Sequence, residues 1–247
     1  MSNFRSELNL AKRIVDLTKK RIFNSKTQNN IILSSDFKDI KNKADREAHQ
    51  FIHNELSQSG IKILSEEDEN PEDIDQNKGL IWIIDPLDGT LNFSRGFPMA
   101  AISVALWRDM KPILGVVQNI FSDVCYYSLL KEGSWRNDKR IYVSDIKEKQ
   151  NAVVATGFSS GRKYDNKSLS NFVEDIIKYK KVRMLGCASL MLTHVANGDF
   201  DIYKEDDIFI WDVAAGLSLV SEAGGTYSIV KGKKRNQYNV EAKNLVL

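Results

Sequence analysis

The sequence predicts a layered α/β or α+β fold, because segments with helical periodicity alternate with short strand-like segments along most of its 247 residues. Helices are indicated where apolar residues recur every three or four positions, and strands where short apolar runs lie between turn residues. A chain of this length can form one sizeable core or two closely packed sub-domains. We therefore expect a single domain over residues 1–247, with a soft boundary between two sub-domains near residues 145–150.

The first half of the chain is predicted to start with two amphipathic helices. One covers residues 4–23, and its apolar positions are Leu10, Ile14, Leu17 and Phe23. The second runs from about Asp45 to Leu56 and should end before Gly60. Strand-like runs follow at Ile61–Leu64, Leu80–Ile84, Ala100–Trp107, Ile113–Asn119, Val124–Leu129 and Arg140–Val143. A turn is expected at 133–138.

The second half alternates between strands and helices in the same way. Strands are predicted at Ala152–Thr156, Val182–Leu185, Phe200–Tyr203 and Thr226–Val230. Helices are predicted at Leu169–Lys178, Cys187–Ala196 and Asp212–Ala223. The last two helices should end at Gly198 and at Gly224, since glycine favours the backbone conformation that terminates a helix.

Composition favours an ordinary globular protein over a nucleic-acid-binding or membrane protein. Hydrophobic residues make up 42% and charged residues 28%, and the net charge of +2 is too small to indicate a polyanionic partner. The apolar runs are far shorter than the ~20 residues needed to cross a bilayer, and the first ten residues lack the apolar core of a signal peptide. Only two cysteines occur, far apart, so no disulfide framework is implied. We expect a cytoplasmic protein.

Three acidic sites stand out because each lies where a strand ends or a helix begins. Glu66 follows a predicted strand, the pair Asp85 and Asp88 follows the next one, and Asp212 opens an apolar helix. Taken singly, Glu66 is typical of a solvated acidic loop, and the pair Asp85 and Asp88 is typical of a turn. Asp212 alone is typical of a helix N-terminal residue that the helix dipole favours. Together they indicate a carboxylate site.

The segment Asp85-Pro86-Leu87-Asp88 has the chemistry of a cation site. Pro86 fixes its own φ and restricts the preceding residue to an extended conformation, so a sharp turn is expected. Such a turn can bring Asp85, the Leu87 carbonyl and Asp88 to one point. Hard oxygen ligands of this kind suit Mg²⁺.

The next residues have the chemistry of a phosphate site. Gly89 allows the backbone to approach a ligand closely, and Thr90 could cap a short helical turn through 91–93. The backbone N–H groups there could bind a phosphate. Two metal ions ~3.5–4 Å apart would then clamp the attacking and leaving oxygens of a displacement at phosphorus.

Two motifs resemble the signatures of a known family. Trp82–Phe93 contains the sequence WIIDPLDGTLNF, and Trp211–Gly216, ending at 221–225 in SEAGG, forms a second motif. They are similar to the two signatures of the inositol monophosphatase family of lithium-sensitive, metal-dependent phosphatases, and Glu66-Glu67 stands where that family has an acidic pair. The resemblance extends from Asp45 to about Val230.

The resemblance implies a five-layer αβαβα fold, two or three Mg²⁺ ions, a small phosphorylated substrate and a homodimer. Carried over by position, the implied metal ligands are Glu66, Asp85, the Leu87 carbonyl, Asp88 and Asp212. With Glu66, Asp45 and Thr90 would orient the attacking water. The implied substrate contacts are Asp88, Gly89, Thr90, Gly186, Cys187, Ala188, Glu205 and Asp212.

The substrate itself stays open between several classes. Ser65 stands where the family usually has glycine, and residues 208–210 and 41–44 also depart from the usual pattern. The candidates are inositol phosphates, fructose 1,6-bisphosphate, other sugar phosphates and 3′(2′),5′-bisphosphate nucleotides. The second motif and Glu205 favour a small polyol or sugar monophosphate. For an adenine base, no aromatic or apolar shelf can be placed from the sequence.

Other motifs support competing hypotheses less well. Gly157-Phe158-Ser159-Ser160-Gly161 matches a serine-hydrolase elbow, but no helix follows at once, and the downstream histidine, His194, lies within a predicted helix. His49 and His53 could share a metal but lack the glutamate of a zincin motif. Cys187, near a helix start, could have a lowered pKa but lacks the Cys-x5-Arg phosphatase loop. A non-catalytic binder of phosphorylated metabolites is a further alternative.

Overall fold

The computed structural model describes residues 4–25, 32–36, 39–159 and 164–247. The helices are α1 Arg5–Ser25, α2 Lys43–Ser57, α3 Thr90–Ser94, α4 Asn166–Ile176, α5 Ala188–Ala196 and α6 Ile210–Glu222. The strands are β1 Ile32–Asp36, β2 Asp39–Asn42, β3 Lys62–Ser65, β4 Leu80–Asp88, β5 Ala101–Arg108, β6 Lys111–Asn119, β7 Cys125–Leu129, β8 Gly133–Arg136, β9 Lys139–Ile141, β10 Val153–Ala155, β11 Lys181–Arg183, β12 Ile202–Phe209, β13 Thr226–Lys231 and β14 Gln237–Lys243.

Five layers follow one another in the order αβαβα, as expected. Helices α1 and α2 cover one face of a seven-stranded sheet of order β3-β4-β5-β6-β7-β8-β9. Helices α5 and α6 lie on its other face. They also cover a five-stranded sheet of order β11-β10-β12-β14-β13, whose outer face carries α4, joined to β12 by an ion pair between Asp175 and Lys204. The predicted layered fold class is confirmed.

Helix α1 buries a slightly different face from the predicted one. The buried apolar positions are Leu8, Ala11, Ile14, Val15 and Ile22. Phe23, expected on this face, is 37% exposed. The difference arises because both 22 and 23 are apolar, and helical periodicity alone does not decide which of two neighbours faces the core.

Strand β4 is buried on both faces, which explains its continuous apolar sequence. Trp82 and Ile84 pack towards α1 and α2, whereas Ile81 and Ile83 pack into the cluster formed with α5 and α6. The strand was expected to end at Ile84, but it continues to Asp88 through a β-bulge opposite β5. The bulge replaces the predicted sharp turn.

The second sheet contains the largest difference from the sequence prediction. Strand β14 was not predicted, yet it lies between β12 and β13 and pairs antiparallel with both. Strand β12 is also longer than its predicted counterpart and leads directly into α6. Along it, Tyr203 packs into the core beside α6, while its neighbour Lys204 forms an ion pair with Asp175 of α4. The β1–β2 hairpin was not predicted, and β8 occupies part of the expected turn.

Glycines allow the central helices to approach their neighbours closely. A Cβ at Gly216 of α6 would lie 2.4 Å from the Leu192 Cβ of α5. A Cβ at Gly115 of β6 would lie 2.4 Å from the Ala215 carbonyl oxygen of α6. Helix α6 therefore contacts both a sheet and a helix at short range, which fixes the position of its first turn.

Candidate active site

Three carboxylates from separate segments converge at the edge where β3 and β4 end. One oxygen each from Glu66, Asp85 and Asp212 lies within 4.8 Å of the others. Glu66 follows β3 and Asp85 lies on β4, and because these strands are parallel their carboxyl ends meet at one edge. Asp212 is in the first turn of α6, which contacts β4. The structure thus brings together three of the five predicted metal ligands.

Asp85 carries the strongest indication of a cation. The residue is 1% exposed; its Oδ1 accepts a hydrogen bond from the Leu87 N–H at 3.0 Å, while Oδ2 receives none from any described residue. Burial raises the pKa of Asp85 well above its ordinary value, and the charges of Glu66, Asp88 and Asp212 raise it further. A buried oxygen without a donor, facing other carboxylates, fits a divalent cation with hard oxygen ligands.

The other two carboxylates of the cluster experience the same environment. Burial, as the largest cause, raises the pKa of Glu66 to about 8. Burial also raises the pKa of Asp212 well above its ordinary value, and the negative charges of Glu66 and Asp88 add to the effect. Such a concentration of carboxylates is unfavourable as it stands and is relieved by positive charge.

Asp88 is oriented towards the start of α5 and is not one of the three clustered carboxylates. Its Oδ2 accepts hydrogen bonds from the Ser189 N–H at 2.7 Å, the Ser189 hydroxyl at 2.6 Å and the Cys187 thiol at 3.1 Å. Burial raises its pKa, although the bonds from Ser189 oppose the shift. Its negative charge still acts on the cluster, because it contributes to raising the pKa values of Glu66 and Asp212.

Thr90 connects two of the predicted site residues. Its hydroxyl donates to the Leu87 carbonyl at 2.9 Å and lies 3.3 Å from Asp45 Oδ1. Thr90 does not cap α3, as had been expected, because Gly89 occupies the N-cap position. Gly89 has a φ of +85°, and a Cβ there would lie 2.7 Å from the Met99 carbonyl oxygen. Only glycine fits this close, left-handed turn.

A cavity of about 190 Å³ adjoins the carboxylates. Its lining includes most of the predicted substrate contacts, namely Asp88, Gly186, Cys187, Ala188, Glu205 and Asp212. Phe158 and Phe209 also line it, and Phe158 is 48% exposed. The cavity therefore has a carboxylate wall and an aromatic wall, of which only the first was expected from the sequence.

Glu205 lies on β12 of the second sheet and lines the cavity. Its Oε2 accepts a hydrogen bond from the Tyr203 hydroxyl at 3.0 Å. Burial raises the pKa of Glu205 to about 7, and the Tyr203 bond opposes this shift. A Cβ at Gly157 would lie 2.6 Å from the same oxygen, so glycine makes room for the carboxyl group. Glu205 can exchange hydrogen bonds with the hydroxyl groups of a ligand.

Two polar residues at the site were missed by the sequence analysis. Asn92 donates through Nδ2 to the carbonyls of Met99, Leu185 and Gly186, at 2.9, 2.7 and 3.2 Å, and so joins α3 to the turn before α5. Ser189 holds Asp88, as described above. The sequence did offer one signal for Ser189, because it lies in the first turn of a predicted helix, where serine side chains often form hydrogen bonds with nearby polar groups.

The competing motifs do not assemble into catalytic groups within the described residues. The Ser159 hydroxyl donates to the Asp207 carbonyl at 2.7 Å, and His194 contacts Asp199 at 2.9 Å, so no serine–histidine pair forms; residues 160–163 lie outside the described part of the chain. His49 contacts the Ser65 hydroxyl at 2.9 Å. Burial raises the pKa of the Cys187 thiol well above its ordinary value, contrary to the lowering considered from sequence.

A layered αβαβα fold with an acidic cluster at the end of a parallel strand pair defines a class of α/β protein with a candidate metal site. The chain belongs to the inositol monophosphatase family, whose model matches residues 3–246. Among the described residues, no helix combines the length and apolarity that crossing a membrane requires.

Relatives of known name agree with this assignment. The chain is 39% identical over 197 residues to an inositol-1-monophosphatase of Rhizobium meliloti, covering 78% of this chain and 73% of the relative. It is 34% identical over 212 residues to a fructose-1,6-bisphosphatase/inositol-1-monophosphatase of Thermotoga maritima, covering 85% and 79%. The crystal structure of extragenic suppressor protein suhB from Bartonella henselae superimposes with a TM-score of 0.82 at 29% identity, covering 98% of this chain and 95% of that one.

Proposed function

We propose that this protein is a Mg²⁺-dependent phosphomonoesterase that hydrolyses a small phosphorylated polyol or sugar. The observation that carries the proposal is the buried Asp85 Oδ2, which has no donor among the described residues and faces Glu66 and Asp212. Membership of the inositol monophosphatase family supports phosphatase chemistry. The named relatives support inositol monophosphate or fructose 1,6-bisphosphate as the first compounds to test.

The proposed ligands of two or three Mg²⁺ ions are Glu66, Asp85, the Leu87 carbonyl, Asp88 and Asp212. All are hard oxygens, as Mg²⁺ prefers. When bound, the ions would lower the pKa of the attacking water and neutralise charge on the phosphate and the leaving oxygen. Inhibition by Li⁺ is part of the same proposal.

The residues of the chain would orient the water for direct attack on phosphorus. If Thr90 donates its hydroxyl proton to Asp45, its oxygen is left to accept a hydrogen bond from the water. Glu66, at the edge of the cluster, would accept the other proton. No covalent intermediate is needed, since the Ser159 hydroxyl is bonded to a backbone carbonyl and the Cys187 thiol to Asp88.

The cavity would bind the alcohol part of the substrate. Glu205 would accept hydrogen bonds from ring hydroxyls, and the Gly186–Ala188 turn would line the opposite side. The backbone amides of Gly89 and Thr90 would bind the phosphate.

A nucleotide substrate is the second candidate, because the cavity has an aromatic wall that the sequence had not indicated. Phe158 lines the cavity and is half exposed, so a flat base could stack on it. A 3′(2′),5′-bisphosphate nucleotide would then place its phosphate at the carboxylates.

Phosphate release from inositol 1-phosphate, fructose 1,6-bisphosphate and adenosine 3′,5′-bisphosphate tests these proposals. The assay is run with Mg²⁺, with EDTA, and with Mg²⁺ plus Li⁺. Turnover of one compound that requires Mg²⁺ and falls with Li⁺ supports the proposed chemistry and identifies the class. Turnover that persists in EDTA contradicts the metal site. Binding of Mg²⁺ and phosphate esters without any turnover favours a non-catalytic metabolite-binding protein instead.

Two further proposals concern the setting of the enzyme. We place it in the cytoplasm, supported by two free thiols, Cys125 and Cys187.

We also propose a homodimer, supported by an exposed apolar stripe on and just after α4, formed by Leu169, Val173 and Ile177. Light scattering should give twice the mass of the 28.1 kDa chain. A Val173→Asp variant that leaves that mass unchanged would exclude this stripe as the interface.

A further inference from the structure

Asn236 is a buried residue that contacts two segments leading to the carboxylate cluster. It precedes β14, is fully buried, and has a φ of +59°, a left-handed conformation that asparagine tolerates better than most residues. Its side chain binds the connection between β3 and β4. Oδ1 accepts from the Ile74 N–H at 3.0 Å, and Nδ2 donates to the Glu72 carbonyl at 2.8 Å.

The backbone of Asn236 binds the second segment. Its carbonyl accepts a hydrogen bond from the Ile210 N–H at 2.9 Å. Ile210 is the first residue of α6, and Asp212 lies in the same helical turn. The connection bound by the side chain begins at Glu66. One buried residue therefore joins the segment that carries Glu66 to the segment that carries Asp212.

Other polar contacts bind the same connection to β13 and β14. Lys231 forms ion pairs with Asp73 and Asp75, and the Tyr238 hydroxyl donates to Asp75. Near its start, the connection is also fixed by a hydrogen bond from the Ser65 N–H to Asp68 at 2.8 Å. Losing Asn236 should therefore leave the connection attached while releasing its link to α6.

We propose that Asn236 is a positioning residue that sets the distance between Glu66 and Asp212, and thereby the affinity of the site for divalent cations. The inference rests on the proposed metal site and adds to it a residue outside that site. Residues that hydrogen-bond directly to a metal ligand typically change metal affinity 10- to 100-fold when they are removed. Asn236 acts on the backbone near the ligands and not on the ligands themselves, so we expect an effect at the lower end of this range.

The test compares Asn236→Gly with Asn236→Asp. Glycine keeps the left-handed backbone and the carbonyl bond to Ile210 but removes both side-chain bonds. Aspartate keeps the shape and the acceptor but loses the donor to Glu72. The control is Tyr238→Phe, which removes a hydrogen bond from the same connection and leaves the bond between the Asn236 carbonyl and Ile210 of α6 in place.

Binding of Mn²⁺ to metal-free protein is measured from the free-ion EPR signal, and kcat and KM are measured at saturating Mg²⁺. Both Asn236 variants should bind Mn²⁺ about 10-fold more weakly, with kcat at saturating Mg²⁺ within about twofold of wild type. Tyr238→Phe should bind Mn²⁺ as wild type does. If Asn236→Gly does not fold, the Mn²⁺ affinity of Asn236→Asp is compared with those of wild type and Tyr238→Phe.

Unchanged Mn²⁺ affinity in the Asn236 variants would overturn the inference. So would an equal loss in Tyr238→Phe, because that would assign the effect to general loosening of the connection. A wild-type protein that binds no Mn²⁺ would instead overturn the proposed function, and this inference with it.

Discussion

Ser189 holds the Asp88 carboxylate with two hydrogen bonds to one oxygen, from its N–H at 2.7 Å and its hydroxyl at 2.6 Å. The serine thus decides where the charge of Asp88 lies relative to the cluster of Glu66, Asp85 and Asp212. Because the hydroxyl bond is charge-assisted and buried, its loss should leave the carboxylate less firmly oriented, held by the Ser189 N–H and the Cys187 thiol.

We expect Ser189→Ala to lower kcat/KM about 10-fold and to raise the Mg²⁺ concentration required for half-maximal activity, since supporting residues of a metal site act at this scale. The matched control is Ser218→Ala, which removes another buried serine hydroxyl, bonded to Ser128 at 3.0 Å. The control should keep its kcat/KM within about twofold of wild type. Equal activity in wild type and Ser189→Ala would show that Asp88 needs no support.

Removing one charge from the cluster should raise the stability of the metal-free protein and lower its activity. Asp212→Asn reduces repulsion among buried carboxylates, so the metal-free protein should be more stable, by about 2 °C or more in Tm measured in EDTA. Activity should fall by orders of magnitude, and the Tm increase caused by Mg²⁺ should shrink, because a cation then has fewer charges to bind.

The control for Asp212→Asn is a carboxylate whose charge is stabilised. Asp75 is paired with Lys231, and the Lys231 and Tyr238 hydrogen bonds lower its pKa. Asp75→Asn should therefore decrease Tm in EDTA. A Tm decrease in Asp212→Asn as large as that in Asp75→Asn would contradict the repulsion within the cluster.

The close contact between α5 and α6 predicts a packing effect. Gly216→Ala would place a methyl group 2.4 Å from the Leu192 Cβ, so we expect a loss of about 1–3 kcal/mol in the free energy of unfolding. Urea unfolding of the metal-free protein measures this change. Ser221→Ala, on the same helix, should change stability by less than about 0.5 kcal/mol. Equal stability of wild type and Gly216→Ala would mean that the two helices can separate without cost.

Phe158 distinguishes the two substrate candidates. Phe158→Ala should leave kcat/KM for inositol 1-phosphate within about twofold of wild type, because a polyol is held by polar groups. Turnover of adenosine 3′,5′-bisphosphate, where detected, should fall at least about fivefold, since stacking of a base on an aromatic ring contributes ~1–3 kcal/mol. An equal loss of turnover with both compounds would indicate that Phe158 contacts the phosphate group or the sugar or polyol ring, and not a base.

The sequence predicted the layered fold class and the closeness of Glu66, Asp85 and Asp212, because both leave local signals. Continuous apolar sequence marks a strand buried on two faces, as in β4, and Asp85-Pro86-Leu87-Asp88 is a specific motif. The five-layer order came from the family resemblance, and the structure confirms it. The roles of the individual site residues remain predictions.

What was missed depends on contacts between distant segments. Strand β14 has the sequence QYNVEAK, whose polar residues give little strand signal, and it forms because β12 and β13 pair with it on both sides. The continuation of β4 to Asp88 depends on its pairing with β5, which overrides the local preference of Pro86 for a turn. Likewise, Asn236 lies in no local motif, and its contacts with Ile74 and Ile210 are visible only in the structure.

The position of β14 also has a consequence for synthesis. Until residues 237–243 have left the ribosome, β12 lacks its antiparallel neighbour and β13 has no partner in the sheet. Exposed strand edges of this kind pair readily with other chains. Nascent or truncated forms that lack β14 should therefore aggregate, and chaperones that cover such edges would be needed until the hairpin closes.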